Sequence, residues 1–467
     1  MNFFGGGAGL REGFFHSRIA AVKFKRAILA AVQSLALISP IVAEAVDPDL
    51  ARFASAKQNQ IREYEKELTN KVPSMVWSLF DAIRVDDWET ATNLVARIYR
   101  ASGRFQDNAD PSPAPALQTL VWPCISEVIG AHEDFHLWNN KLLHRFGREI
   151  MSSIPRDSIY FGGTDPGRFI ISALSESHRE GKPFFTITQN QLADGIYLEY
   201  LRKMYGNRIY IPTADDSQKA FNEYVKDAQQ RLQAGKLKPG EDVRVVDNRV
   251  QVSGQVAVMQ INGLLAKMIL NKNSGRRFFI EESFALDWMY PHLTPMGLIF
   301  ELHPQPLGKL SREEIEKDMA YWKKLTAELI GDWLENNTSV EKVCDFADEV
   351  YLLKNLNGFK GDAAFAKNEE AQKCFSKLRS SIGGWYVWRS ENTNDTEEKK
   401  QAQSNADLAF RQAYALCPYS PEAVFRYVNL LENLRRHDDA VLIVKTAVRL
   451  SPDDKQFQEV LRNLTRR

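Results

Sequence analysis

The sequence predicts a mixed α and α/β chain: a helical N-terminal region, a central three-layer-like α/β module on a mainly parallel sheet, and C-terminal helical hairpins. Three observations carry that expectation. Apolar residues recur at helical three- and four-residue steps over 48–104, short apolar runs alternate with helical stretches over 155–305, and five residues near the C-terminus recur 34 positions on. At 467 residues the chain exceeds one ordinary core, and 44% apolar with 26% charged residues suits a folded, water-facing body. Lys plus Arg equals Asp plus Glu at 60 each, so no global field favours nucleic acid or an anionic membrane.

Residues 1–45 read as a signal or anchor segment. Arg18, Lys23, Lys25 and Arg26 precede an apolar run from Ala27 to Val42, and Ala43-Glu44-Ala45 fits a small-x-small cleavage site. Gln33 and Ser34 interrupt the run, which leaves an ordinary amphipathic helix or an uncleaved anchor as the alternatives. No other stretch reaches the ~18–20 apolar residues needed to cross a bilayer. The expected location is therefore the periplasm or cell envelope, with the cytoplasm as the alternative, and no membrane-spanning body. Cys124, Cys344, Cys374 and Cys417 are far apart and form no CxxC pair, which argues against a zinc ribbon or thioredoxin-like site and for buried thiols.

Residues 46–154 are expected to be helical. Met75, Trp77, Leu79 and Phe80, then Trp88, Ala91, Leu94, Val95 and Ile98, make a helical hairpin about Arg84-Val85-Asp86-Asp87, with Asp86 or Asp87 capping the second helix. Asp107 to Pro115 reads as a linker, and 117–152 as a long helix interrupted at Pro123. In the α/β module, 155–305, strands are expected at 158–161, 184–187, 209–211, 243–246, 249–252, 278–280 and 298–300, with Asp247-Asn248 turning a hairpin. Helices are expected at 166–177, 190–205, 216–234 and 256–270. Residues 306–369 read as connecting helices that open on Ser311-x-x-Glu314, a capping box.

The repeat occupies 370–467. Ala406, Phe410, Ala413, Leu416 and Pro418 recur as Ala440, Val444, Ala447, Leu450 and Pro452. Small residues let paired helices approach, bulky ones fill the seam, and the proline ends the second helix. The pattern resembles the tetratricopeptide repeat family, with Ala440, Ala447 and Pro452 on its small, small and proline positions. Val424, Tyr427 and Val428 depart from the family's first helix. The resemblance implies a protein or peptide partner bound by the C-terminal repeats.

Three stretches could carry chemistry. His132-Glu133-Asp134-Phe135-His136 matches HExxH, in which His132 and His136 share a helix face and can hold zinc while the glutamate activates water. It resembles the zincin motif, yet Asp134 places a charge where that family has none, and no third ligand is evident; a solvated helix face is the favoured reading, with no metal or cofactor expected.

The second stretch, Gly162-Gly163-Thr164-Asp165-Pro166-Gly167-Arg168, leaves a strand and opens a helix, so exposed amides with Thr164, Asp165 and Arg168 could receive a ligand oxygen. Gln189, Asn190 and Asp194 leave the next strand, and Glu281-Glu282 ends a later one, which together would line a polar crevice. Structural capping is the competing reading. This turn and Gln189-Asn190-Gln191-Leu192-Ala193-Asp194 look like the soluble module of uncharacterised bacterial glycosyltransferase-like membrane proteins, which hints at cell-envelope carbohydrate metabolism. The third stretch, Trp288-Met289-Tyr290-Pro291-His292-Leu293, is aromatic enough to line a sugar site but fits a core as well.

The function expected from these residues is a non-enzymatic, exported protein-interaction scaffold. The alternatives are a ligand-binding protein or enzyme using Thr164, Asp165, Arg168 and Asn190, and a zinc hydrolase using His132 and His136.

Overall fold

The structure, a computed structural model, describes residues 46–104, 112–246, 249–282 and 285–466. The expected signal or anchor segment, most of the expected linker and the Asp247-Asn248 turn lie outside the described residues. The chain divides into two compact units, residues 189–273 and residues 47–188 with 274–467, so both boundaries fall inside the stretch 155–305.

The larger unit begins with helices whose caps are written locally. Helix α1 (Pro48–Glu65) has Asp47 as N-cap, accepting from the Asp49 amide at 2.9 Å, and buries Leu50, Phe53, Ala54, Lys57, Ile61 and Tyr64 along one stripe. The expected hairpin forms as α2 (Ser74–Arg84) and α3 (Trp88–Ser102), with Asp87 accepting from Thr90 and Gly103, at φ 64°, ending α3. Two helices follow where one interrupted at Pro123 was expected: α4 (Val121–Leu137) and α5 (Asn140–Ser153). Pro123 lies in the first turn of α4, where its missing amide is no loss, and the break comes instead at Trp138, before Asn139 caps α5.

Strand β1 (Ile159–Gly162) leads to α6 (Asp165–Leu174), the one-turn helix α7 (Ser177–Glu180) and β2 (Phe185–Thr188). Beneath them, Lys57 Nζ and His178 Nδ1 approach the same Glu127 oxygen, Oε2, at 2.6 and 2.8 Å, all three side chains at least 93% buried, which ties α1, α4 and α7 together.

The smaller unit carries α8 (Gly195–Tyr205), α9 (Ala214–Gln233), the hairpin β3 (Asp242–Val246) and β4 (Arg249–Ser253), and α10 (Gly254–Lys272). Its core joins Tyr224, Ala228, Val243 and Ala257 with Leu232, Val250, Val252 and Ile261. Alternation in the hairpin puts Val243 and its partner Val252 on the inner face. The expected strand at Ile209-Tyr210-Ile211 does not form. Asn273 takes both backbone groups of Tyr210, accepting its amide at 2.8 Å and donating to its carbonyl at 3.1 Å, and so replaces a strand neighbour.

The larger unit resumes with β5 (Phe278–Glu281), β6 (Leu293–Met296) and β7 (Ile299–Leu302), completing a five-stranded sheet in the order β2-β1-β5-β7-β6. Pairing is parallel for β2-β1-β5 and antiparallel for β5-β7-β6, so the sheet is mixed where a mainly parallel one was expected. The cause is local: Gly297, at φ 64°, lies in the short turn that joins β6 and β7 as a hairpin.

Helices follow to the end: α11 (Arg312–Ile330) with the Ser311/Glu314 capping box, α12 (Val340–Ala347), continued by a π-helical turn over Asp348–Leu352, and α13 (Ala363–Lys367). Then come α14 (Glu369–Glu391), α15 (Thr396–Leu416), α16 (Pro421–Asn433), α17 (His437–Leu450) and α18 (Lys455–Thr465), each packed on the next. Ala406, Ala413, Ala440 and Ala447 are fully buried, and Pro418 and Pro452 stand two residues past the ends of α15 and α17. No helix among the described residues is long and apolar enough to cross a membrane.

Candidate functional site

The glycine turn at the end of β1 is closed by the chain itself. Thr164 is the N-cap of α6: its hydroxyl accepts from Gly167 N at 3.1 Å and donates to Glu281 Oε1 at 2.7 Å. Its amide donates to Glu281 Oε2 at 2.9 Å, and the Gly163 amide reaches the Glu281 carbonyl at 2.8 Å and Oε2 at 3.3 Å. The amides expected to be open for a ligand oxygen thus hold a carboxylate from β5. The glycines make room for it, because a Cβ on Gly163 would overlap Glu282 Oε2 and one on Gly167 would overlap the Glu281 carboxylate.

Glu281 and Glu282 are both 1% exposed. Burial pushes the Glu281 carboxyl up to about 7, against the hydrogen bonds from Thr164 and Gly163 that favour its charged form, and the Glu282 charge adds to the rise. Asp165 pairs with Arg168 at 2.5 Å, and the Arg168 guanidinium lies 4.4 Å from the Phe169 ring centre. Gly163, Thr164, Asp165 and Arg168 therefore come together: Thr164 caps α6, Gly163 donates to Glu281, and Asp165 pairs with Arg168. Gln189, Asn190 and Asp194 belong to the other unit: Gln189 is fully buried, the Asn190 carbonyl accepts from Asn262 at 3.0 Å, and Asp194 caps α8 through Ile196 N at 2.9 Å. The sequence marked Glu281 as the end of an apolar strand; its grip on the turn needed the fold.

The HExxH stretch lies on α4 as required, and both imidazoles pack against Trp88. His136 stacks on its ring at 3.7 Å with an interplanar angle of 3°, and His132 lies 5.2 Å away, tilted. Burial, with a smaller contribution from His136, pushes His132 down to about 4. No third histidine, cysteine or carboxylate among the described residues joins the pair in a metal-ligating group. The expected solvated face is thus half wrong: His132 is 3% exposed and packed inward.

One metal-capable cluster escaped the sequence reading. His144 Nε2 stands 3.0 Å from Asp47 Oδ2 and its Nδ1 3.8 Å from Asp49 Oδ2. Asp47 is already the cap of α1 and also accepts from Asn140 at 2.8 Å, so the arrangement braces α1 against α5. A shallow groove elsewhere is lined by Leu137, Trp138, Asn139, Ala363, Lys367 and Asn368.

At the helical end, the first hairpin is enclosed by the same chain. Arg379 of α14 and Asp318 of α11 are fully buried and pair at 3.1 Å, with Tyr386 OH donating to Asp318 at 2.9 Å and Arg379 Nε donating to Gln412 of α15 at 2.7 Å. On another side, Trp385 Nε1 donates to the Tyr290 carbonyl at 3.2 Å and Tyr290 packs near Trp388 at 5.8 Å. Tyr351, in the π-helical turn, donates to the carbonyls of Ala415 and Leu416 at the end of α15. The aromatic stretch 288–293 is thus packing, with Met289 fully buried. Beyond, Phe425 of α16 meets Phe457 of α18 edge-on at 5.4 Å; one turn along each helix, Asn429 is exposed and Leu461 half-buried.

Comparison of the chain with protein-family models, with curated proteins and with solved structures finds no match.

Proposed function

We propose that this chain is a non-enzymatic protein-interaction scaffold of the tetratricopeptide type, exported to the cell envelope, whose partner docks on α16–α18. The observation that carries the reading is the contrast along the helical stack. The α14–α15 pair is covered by α11 and the Tyr290 region, and α12 packs on both α15 and α17, whereas the side of α16 and α18 marked by Phe425, Asn429 and Leu461 keeps side chains at the surface. Stacked helical hairpins present such faces to extended peptides or partner helices. The other candidates support it by subtraction: the glycine turn is filled by Glu281, and the two histidines of α4 are packed on Trp88. The carbohydrate-related setting rests on the resemblance of the glycine turn and of the Gln189–Asp194 turn alone.

A photo-crosslinking residue at Asn429 tests this in cells. The expected result is one recovered protein that binds the purified chain and loses at least tenfold affinity to Leu461→Asp, while a probe at Lys66, exposed on the N-terminal helices, recovers nothing specific. Equal binding of that protein to wild type and Leu461→Asp would refute the site. Mass analysis of the mature N-terminus tests export, and an intact residue 1 in the cytoplasm would refute it.

A further inference from the structure

We propose that Glu281, Glu282 and the Gly163–Thr164 turn form a pH-sensitive tether that holds the end of β5 to the start of α6 more firmly in acid than above neutrality. The geometry supplies both states. With Glu281 ionised, Oε1 accepts from the Thr164 hydroxyl and Oε2 from the Thr164 amide. With a proton taken from water, the carboxyl can donate to the Thr164 oxygen instead, which keeps accepting from Gly167 N, while Oε2 keeps its amide donors. Protonation reverses one hydrogen bond and loses none.

Electrostatics then favours the neutral state inside the fold. Glu281 and Glu282 are both 1% exposed, with the Glu281 carboxylate against Gly167 and the Glu282 carboxylate against Gly163, so ionised Glu281 puts its charge in a dry site beside a second carboxylate. The titratable and charged groups near them are Tyr160 of β1, whose hydroxyl donates to the Gly167 carbonyl at 2.7 Å, Arg168 of α6, paired with Asp165, and Arg426 of α16, which acts on Tyr290, Glu422 and Glu282. Burial with the Glu282 charge raises the Glu281 carboxyl to about 7, against 4.5 when it is released to water. Opening the tether therefore becomes easier as pH rises between those values, by on the order of 100-fold from pH 5 to pH 8.

The test uses the full chain and a neutral isostere, Glu281→Gln. Urea unfolding of both proteins from pH 5 to pH 8 is expected to show the wild-type folding constant falling by on the order of 100-fold relative to Glu281→Gln. Should Glu281→Gln fail to fold, carboxyl ¹³C resonances of glutamate-labelled wild type and Glu282→Gln give the answer: one wild-type glutamate titrates near neutrality, and at lower pH in Glu282→Gln. A ratio constant with pH, or no glutamate titrating above pH 6, overturns the proposal.

Discussion

Replacing Asp318 by asparagine changes one heavy atom in an ion pair whose side chains are both fully buried. Both side chains are 0% exposed, Arg379 meets Asp318 at 3.1 Å and Gln412 at 2.7 Å, and Tyr386 donates to the same Asp318 oxygen. The substituted side chain would retain the shape and an acceptor but leave the guanidinium buried with only neutral partners. Breaking a buried pair by removing one charge costs about 3–5 kcal/mol, because the remaining charge has neither water nor a counter-ion. Domains of ordinary stability hold about 5–15 kcal/mol, so the loss takes a large share. Urea unfolding followed by far-ultraviolet circular dichroism should show a midpoint lowered accordingly. The pair Asp318→Leu with Arg379→Met removes both charges, and a double-mutant cycle with Asp318→Leu and Arg379→Met as its singles should show a coupling of at least ~2 kcal/mol. A single-mutant cost below ~1 kcal/mol, or no coupling in the cycle, would refute the view that this pair clamps α11 to the helical stack.

His132 gives the opposite pH sign to Glu281. Its folded value, about 4, lies below the ordinary 6.5, so the unfolded chain takes up the proton first and stability falls as pH drops from about 6.5 to about 4, by about 3 kcal/mol in total. His132→Gln should flatten that slope in urea midpoints measured at pH 7 and pH 4.5. Gly383→Ala sets a Cβ 2.7 Å from the Phe410 ring where α14 meets α15, and a net loss of about 1–2 kcal/mol is expected after the ~1 kcal/mol that alanine gains in a helix. Gly195→Ala, with nothing within 4 Å of its Cβ, should be neutral; urea midpoints of both variants check this. All four cysteines are buried, and burial pushes Cys344 up to about 11 and Cys417 to about 12, so a thiol reagent at pH 8 should label them only after denaturation.

Much of the local structure was legible. The stripe of α1 and the hairpin α2–α3 follow from apolar spacing, and Asp87, Thr164 and Ser311 act as the caps their neighbours imply, whereas Asp194, expected inside a helix over 190–205, caps one that begins at Gly195. The 34-residue spacing reappears as helices ending at Leu416 and Leu450. Errors came where a long-range partner overrode the local signal. Tyr210 carries strand character, yet Asn273, 63 residues away, takes its backbone groups. Pro123 looked like a break, but the chain turns at Trp138, which packs near Phe146 at 5.2 Å.

What the sequence alone determined about this protein is its periodicities and caps, because these depend on residues within a turn or two of one another. Only the tertiary structure decided what each polar group meets. Thr164 and Glu281 are 117 residues apart, and Arg379 and Asp318 are 61 apart. Whether such groups face a ligand or each other depends on distances in space that spacing in the chain does not set, and here they face each other.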